Sequence, residues 1–160
     1  MPDAVIPPVG ARIMDLQNPQ AKMSKSADSP QGTLAVLDEP EGIRRKIRTA
    51  VTDSGRDVRF DPEEKPAISN LLTILSVVSD RGIEDLEREY AATGYARLKA
   101  DLADAVVAFL ESFQAGVRER MADPAEIDRQ LAVGADKAQA VAAKTLERVI
   151  ERVGFLPRAR

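Results

Sequence analysis

From about residue 40 to the end of the chain, apolar residues return every three or four positions, the spacing that lines one face of an α-helix. Before residue 40 that periodicity is missing. The opening stretch carries Pro2, Pro7, Pro8, Pro19 and Pro30, which favour extended and turning backbone, with one short strand expected over residues 33–37. It would not fold alone.

The first helix is expected at Pro40, a residue suited to a first turn, with Ile43 and Ile47 on one face and Arg44, Arg45, Lys46 and Arg48 around them. A polar turn follows at Thr52, Asp53, Ser54 and Gly55, and Pro62 and Pro66 bracket the start of the next helix. There Ile68, Leu71, Leu72, Leu75 and Val78 form the inner stripe, which Asp80, Arg81 and Gly82 terminate. A short third helix carries Ile83, Leu86 and Tyr90.

After Gly94, the residues Tyr95, Leu98, Leu102, Val106, Phe109, Phe113 and Val117 draw one stripe, so this element is expected to be the longest, at about 35 Å. Asp123, Pro124 and Glu126 have the form of a helix start, with a cap, a proline and a carboxylate able to reach back. Ile127 and Leu131 mark its inner face and Gly134 is expected to end it. A last helix from Ala135 aligns Ala138, Val141, Ala142, Leu146, Val149, Ile150 and Val153. The pattern predicts an all-α bundle of five or six helices over residues 39–160, preceded by an extended segment over residues 1–38. No internal repeat is evident.

Composition narrows the chemistry more than the fold. The chain is 44% hydrophobic and 31% charged, ordinary values for a globular protein, and its few aromatics leave a core of Leu, Ile, Val and Ala. Without cysteine there is no disulfide or thiolate, and without histidine the usual general base and commonest metal ligand are missing. No apolar run approaches a membrane span and no signal-peptide pattern is present, so a cytoplasmic location is expected. A net charge of −3 argues against bulk attraction to nucleic acid, though not against a local basic patch.

One stretch stands out against that background. Lys22, Met23, Ser24, Lys25 and Ser26 place two ammonium groups three residues apart in a segment able to bend, with hydroxyls and amides beside them. Such a group neutralises charge that develops on phosphate oxygens. Average composition makes a chance occurrence of these five residues in this order on the order of 1 in 10⁴ for a chain of this length.

The five residues resemble the second signature of the class I aminoacyl-tRNA synthetases. The stretches "VGARIMDLQNPQAKMSKS", "IRRKIRTAVTD", "KPAISNLL", "GYARLKADLADAVV" and "GADKAQAVAAKTL" together resemble the C-terminal part of the bacterial tryptophanyl-tRNA synthetases, in order and over nearly the whole chain. The resemblance implies that residues 22–26 form an ATP-binding loop, with Lys22 and Lys25 catalytic through their contacts with departing pyrophosphate. It also implies that Ile13 touches the adenosine of ATP. The family often has Asp directly after the signature, whereas here Ala27 precedes Asp28, which leaves the hinge geometry of the loop open.

The activity implied is tryptophan–tRNA ligase, with tryptophan, ATP, Mg²⁺ and tRNA(Trp) as reactants and ions, in a homodimer. The helices would bind the anticodon end of the tRNA. Arg44, Arg45, Lys46 and Arg48, with Arg56 and Arg59 nearby, form a basic cluster suited to phosphate contacts. No metal ligand is assigned: Asp101, Asp104, Glu84, Asp85, Glu87 and Glu89 fall on polar helix faces beside Arg and Lys and read as solvated surface. Tyr90 and Tyr95 lie on apolar stripes and read as core.

The alternative reading is a stand-alone helical interaction module for protein or RNA, with residues 1–38 a tail. Under the ligase reading residues 1–38 close a catalytic α/β domain whose remainder precedes Met1, so the chain is expected to be a fragment. The isolated 160 residues are then expected to give no tryptophan-dependent exchange of pyrophosphate into ATP; clear exchange would overturn that reading.

Overall fold

A computed structural model describes residues 3–26 and 30–156. Ala27 and Asp28, where the signature departs from its family pattern, lie outside the described residues. The described chain is all-helical: α1 (Pro40–Arg48), α2 (Pro66–Ser79), α3 (Ile83–Tyr90), α4 (Gly94–Met121) and α5 (Pro124–Val153), preceded by a single 3-10 turn at Pro30–Gly32. It divides into two compact units, Met1–Gln114 and Ala115–Arg160, with the boundary inside α4.

In the first unit each helix turns its periodic apolar face inward. Pro40 opens α1, and its Ile43 and Ile47 are 1% and 0% exposed. Pro66 opens α2, whose Ile68, Leu71 and Leu72 are sealed, and α3 adds Leu86 and Tyr90. The αL residue Asp80 ends α2, and the Ser76 hydroxyl donates to the Arg81 carbonyl at 2.6 Å, so α3 begins within three residues. α4 closes the core with Leu98, Leu102, Val106 and Leu110. Leu16, from the proline-rich opening segment, is 2% exposed in the same core.

No strand forms over residues 33–37. The Ala35 amide donates to the Asp38 carboxylate at 3.0 Å and the Asp38 amide donates to the Ala35 carbonyl at 3.0 Å, closing a turn in place of an extended run. Gln114 of α4 then donates to the carbonyls of Val36 and Asp38, at 2.9 and 3.0 Å.

The second unit corrects two further expectations. Gly134 does not end a helix: α5 is continuous over 30 residues and is the longest element. Glycine costs a helix interior about 1 kcal/mol relative to alanine, and the alanines at 132, 135 and 138 offset that locally. The Asp123 side chain accepts the Glu126 amide at 3.1 Å, so the expected cap is made, and Gly154 at φ 77° closes the far end. α4, at 28 residues, is about 42 Å long and outruns the core it serves. Phe109 and Phe113, expected inside, are 54% and 52% exposed.

Leu98 has no exposed surface and sits where α4 meets the core, whereas Leu131 on α5 is 65% exposed. Leu98→Ala is expected to lower the unfolding free energy by about 2–5 kcal/mol, and Leu131→Ala by less than about 0.5 kcal/mol, in urea titrations followed by circular dichroism. Equal effects would contradict the placement of the core.

Candidate functional site

The lysine-bearing stretch is held by backbone geometry set a few residues earlier. Asp15 Oδ1 accepts the amides of Gln17 at 2.8 Å and Asn18 at 3.0 Å, an Asx turn that reverses the chain. The returning strand pairs antiparallel, with Met14 bridged to Lys22, the Asp15 amide donating to the Ala21 carbonyl at 2.9 Å and the Met23 amide to the Ile13 carbonyl at 3.0 Å. On the other side, Leu16 donates to the Gly32 carbonyl at 2.9 Å and accepts the Val51 amide at 2.8 Å. Three distant segments are thereby stitched at one residue.

Gly32 is required at its position, because a Cβ there would collide with the Asp15 carboxylate. Thr33 next to it donates through Oγ1 to the Ser24 carbonyl at 3.0 Å. From α2, Asn70 donates to the Met14 carbonyl and accepts the Met14 amide, both at 2.8 Å.

On this frame Lys22, Ser24, Lys25 and Ser26 are exposed, while Ile13 and Met23 are half-buried and packed against the core. Ser24 Oγ lies 3.1 Å from Ser26 Oγ. Neither Lys22 nor Lys25 has a hydrogen bond or ion pair among the described residues, so both ammonium groups are available to an anion. The frame brings the six residues of the expected nucleotide set onto one short hairpin.

The basic helix α1 divides. Lys46 does not offer its charge to a ligand: it is 9% exposed, donating to Asp38 Oδ2 at 2.6 Å and to the Thr33 carbonyl at 2.8 Å. A buried ammonium without such partners would be costly, and these two take its charge inward. Arg44 pairs with Asp104 at 2.9 Å, and Arg59 with Asp61 and Glu64 at 3.0 and 2.8 Å. Arg45, Arg48 and Arg56 are exposed with no side-chain partner among the described residues.

Beside Arg44 and Arg48 lies a groove of about 550 Å³ that Tyr95, Lys99 and Asp104 also line. Lys99 donates to the Ala50 carbonyl at 2.7 Å at the C-terminal end of α1, and burial pushes its ammonium pKa down. Tyr95 is half-buried and its hydroxyl donates to Asp53 Oδ1 at 2.6 Å while accepting from Lys65 at 2.9 Å. Lys65 is also 3.0 Å from Asp57, and the Tyr95 and Asp57 contacts hold its pKa above the ordinary lysine range.

Of the six carboxylates read from the sequence as solvated surface, all but Glu84 are engaged with cations or amides among the described residues. Asp104 meets Arg44, Asp85 meets Arg88, Glu89 meets Arg81, and Glu87 accepts the Phe60 amide at 2.6 Å. Among the described residues no group of three or more His, Cys, Asp or Glu is placed to hold a metal ion. Asp101 accepts from Arg97 Nε at 2.7 Å and from the Tyr90 hydroxyl at 2.9 Å. Burial opposes its charge, but these bonds hold it below the usual carboxylate range.

Asn70, Asp15, Gly32 and Thr33 are the site residues that periodicity does not reveal. Asn70 alone left a visible signal: an amide inside the apolar run Ile68, Leu71, Leu72.

With this geometry described, known proteins supply a frame. The family described as "tRNA synthetases class I (W and Y)" matches residues 1–111. The tryptophan–tRNA ligase of Mycobacterium leprae is 50% identical over 157 residues, covering 98% of this chain and 46% of that protein. Tryptophan–tRNA ligase 2 of Streptomyces avermitilis is 49% identical over 147 residues, covering 92% and 44%. The crystal structure of the tryptophanyl-tRNA synthetase from Mycoplasma pneumoniae superposes with a TM-score of 0.75 at 30% identity, over 91% of this chain and 44% of that one. The chain therefore spans somewhat under half the length of these relatives.

Burial, and then the bond to Asp101, push the Tyr90 phenol from 10.0 up to about 12. A raised folded-state pKa contributes stability that is complete below the unfolded value and lost as pH rises through the folded one. Stability is expected to decline between pH 10 and 12, with Tyr90 ionising near 12 by absorbance at 295 nm, and Tyr90→Phe to remove that component of the decline. A decline unchanged in Tyr90→Phe would refute the assignment.

Proposed function

The chain belongs to the class I tRNA synthetases of the tryptophan and tyrosine family, and on that premise we propose that it supplies the pyrophosphate-stabilising loop and tRNA-binding helices of a tryptophan–tRNA ligase. The observation that carries this reading is that Lys22 and Lys25, on a hairpin fixed from three sides, have ammonium groups without a partner among the described residues. In the reaction the tryptophan carboxylate attacks the α-phosphorus of ATP, forming the acyl–phosphate bond of tryptophanyl-adenylate and breaking the bond to pyrophosphate. A terminal ribose hydroxyl of tRNA(Trp) then attacks the acyl carbon, releasing AMP.

Lys25 and Lys22 stabilise negative charge accumulating on the β- and γ-phosphates as that bond breaks. Compact ammonium groups do this without proton transfer, which suits a chain lacking histidine. Ser24 and Ser26 add hydroxyl donors, and Ile13, half-buried and bonded through its carbonyl to the Met23 amide, is the residue of the hairpin assigned to the adenosine of ATP. Mg²⁺ would arrive with the phosphates of ATP, since the described residues form no ligand cluster for it.

Arg45 and Arg48, with the groove beside α4, are the phosphate-facing part of the helical surface toward tRNA(Trp). Lys46 is excluded from that role by its internal bonds. The remaining parts of the reading are a homodimer and a cytoplasmic location; among the described residues no helix is long and apolar enough to cross a membrane.

The test uses an enzyme of the relatives' length that carries this segment. Lys25→Ala is expected to lower kcat for tryptophan-dependent ATP–pyrophosphate exchange roughly 10²-fold, with the KM for tryptophan little changed. An unchanged kcat would sink the assignment of the loop.

A further inference from the structure

α2 meets the core with Ile68, Leu71, Leu72 and Leu75, and Asn70, 6% exposed, is buried with them. A leucine, of the same branched shape, would bury more apolar surface and leave no polar atom to satisfy. Asn70 instead places one donor and its acceptor on the two backbone groups of Met14, 56 residues earlier in the chain. Two-point contact from a planar carboxamide fixes both the position and the orientation of that strand. Met14 is the residue bridged to Lys22.

We infer that Asn70 is a positioning residue for the phosphate-binding lysines: through Met14 it sets the register of the strand against which Lys22 and Met23 pair, and so where Lys22 and Lys25 stand relative to the helices. This rests on residues 22–26 being the pyrophosphate loop. Asn70 reaches the reaction only through Met14 and the bridge. The brace from Thr33 to the Ser24 carbonyl is independent of it and holds the far side of the loop.

Asn70→Asp tests this with little change of volume, since it keeps an acceptor for the Met14 amide but puts an oxygen against the Met14 carbonyl. In native-state hydrogen exchange on the 160-residue chain, the Asp15 and Met23 amides are expected to lose protection by about tenfold, with Leu98 and Leu102 unchanged. Inorganic pyrophosphate, titrated calorimetrically, is expected to bind about tenfold more weakly. Unchanged protection at Asp15 and Met23 overturns the inference. So does lost protection with undiminished pyrophosphate affinity, which would make the clamp structural only.

If the unsubstituted chain binds no pyrophosphate, the same titration is made in an enzyme of the relatives' length that carries this segment; absence of binding there sinks the loop's assignment on its own account, and the exchange result still decides whether Asn70 sets the hairpin. If the variant loses Leu98 protection as well, the unsubstituted chain in dilute denaturant decides. Met14, Asp15 and Met23 amides opening together support the clamp; Asp15 and Met23 opening well before Met14 overturns it.

Discussion

A carboxamide buried among leucines must find partners for its donors and acceptor, because in an apolar interior nothing else will solvate them. Among the described residues it is the backbone of Met14 that answers Asn70, and the answer ties a proline-rich segment without helical structure to the apolar core. The lysine hairpin takes one of its anchors from that tie and another from the Thr33 hydroxyl on the Ser24 carbonyl. The neighbouring stitches at Leu16, to Gly32 and Val51, make the arrangement a small web of backbone bonds, and Leu16 plugs its side chain into the core beneath.

α1 shows how charge in one short helix is partitioned by burial. Ile43 and Ile47 face the core, so Lys46, adjacent to Ile47, is drawn inward with its ammonium steered onto Asp38 and the Thr33 carbonyl. Arg45 and Arg48, on the opposite side of the turn, stay in water. Nine residues therefore serve both the interior bracing of the loop and a cationic exterior. Exchanging Lys46 for its neighbours' role would leave the half-buried Asp38 without its cation.

The helices were legible because periodicity reports burial, and proline and cap residues report ends: α1 to α4 begin where Pro40, Pro66, Ile83 and Gly94 suggested. Gly134 misled because a glycine's helix cost is small against the propensity of the alanines around it, so composition of the window outweighed the single breaker. Residues 33–37 misled because a short apolar run forms a strand only beside a partner strand, and here the Asp38 carboxylate claims the Ala35 amide. The lysine motif was plain in one dimension. Its supports were not, since Asn70, Asp15 and Thr33 act on residues distant in sequence or on backbone groups that carry no side-chain signature, and Lys46 looked like its neighbours until burial separated them.

The contact between Gly32 and Asp15 has a bearing on how such a chain can vary. The carboxylate occupies the volume a methyl group would need, so a side chain at 32 is admissible only once residue 15 has become shorter, and shortening residue 15 removes the acceptor that reverses the chain before the lysines. The constraint in mutational space therefore runs one way: position 32 stays closed to side chains until position 15 yields, whereas Gly32 hinders no change at 15.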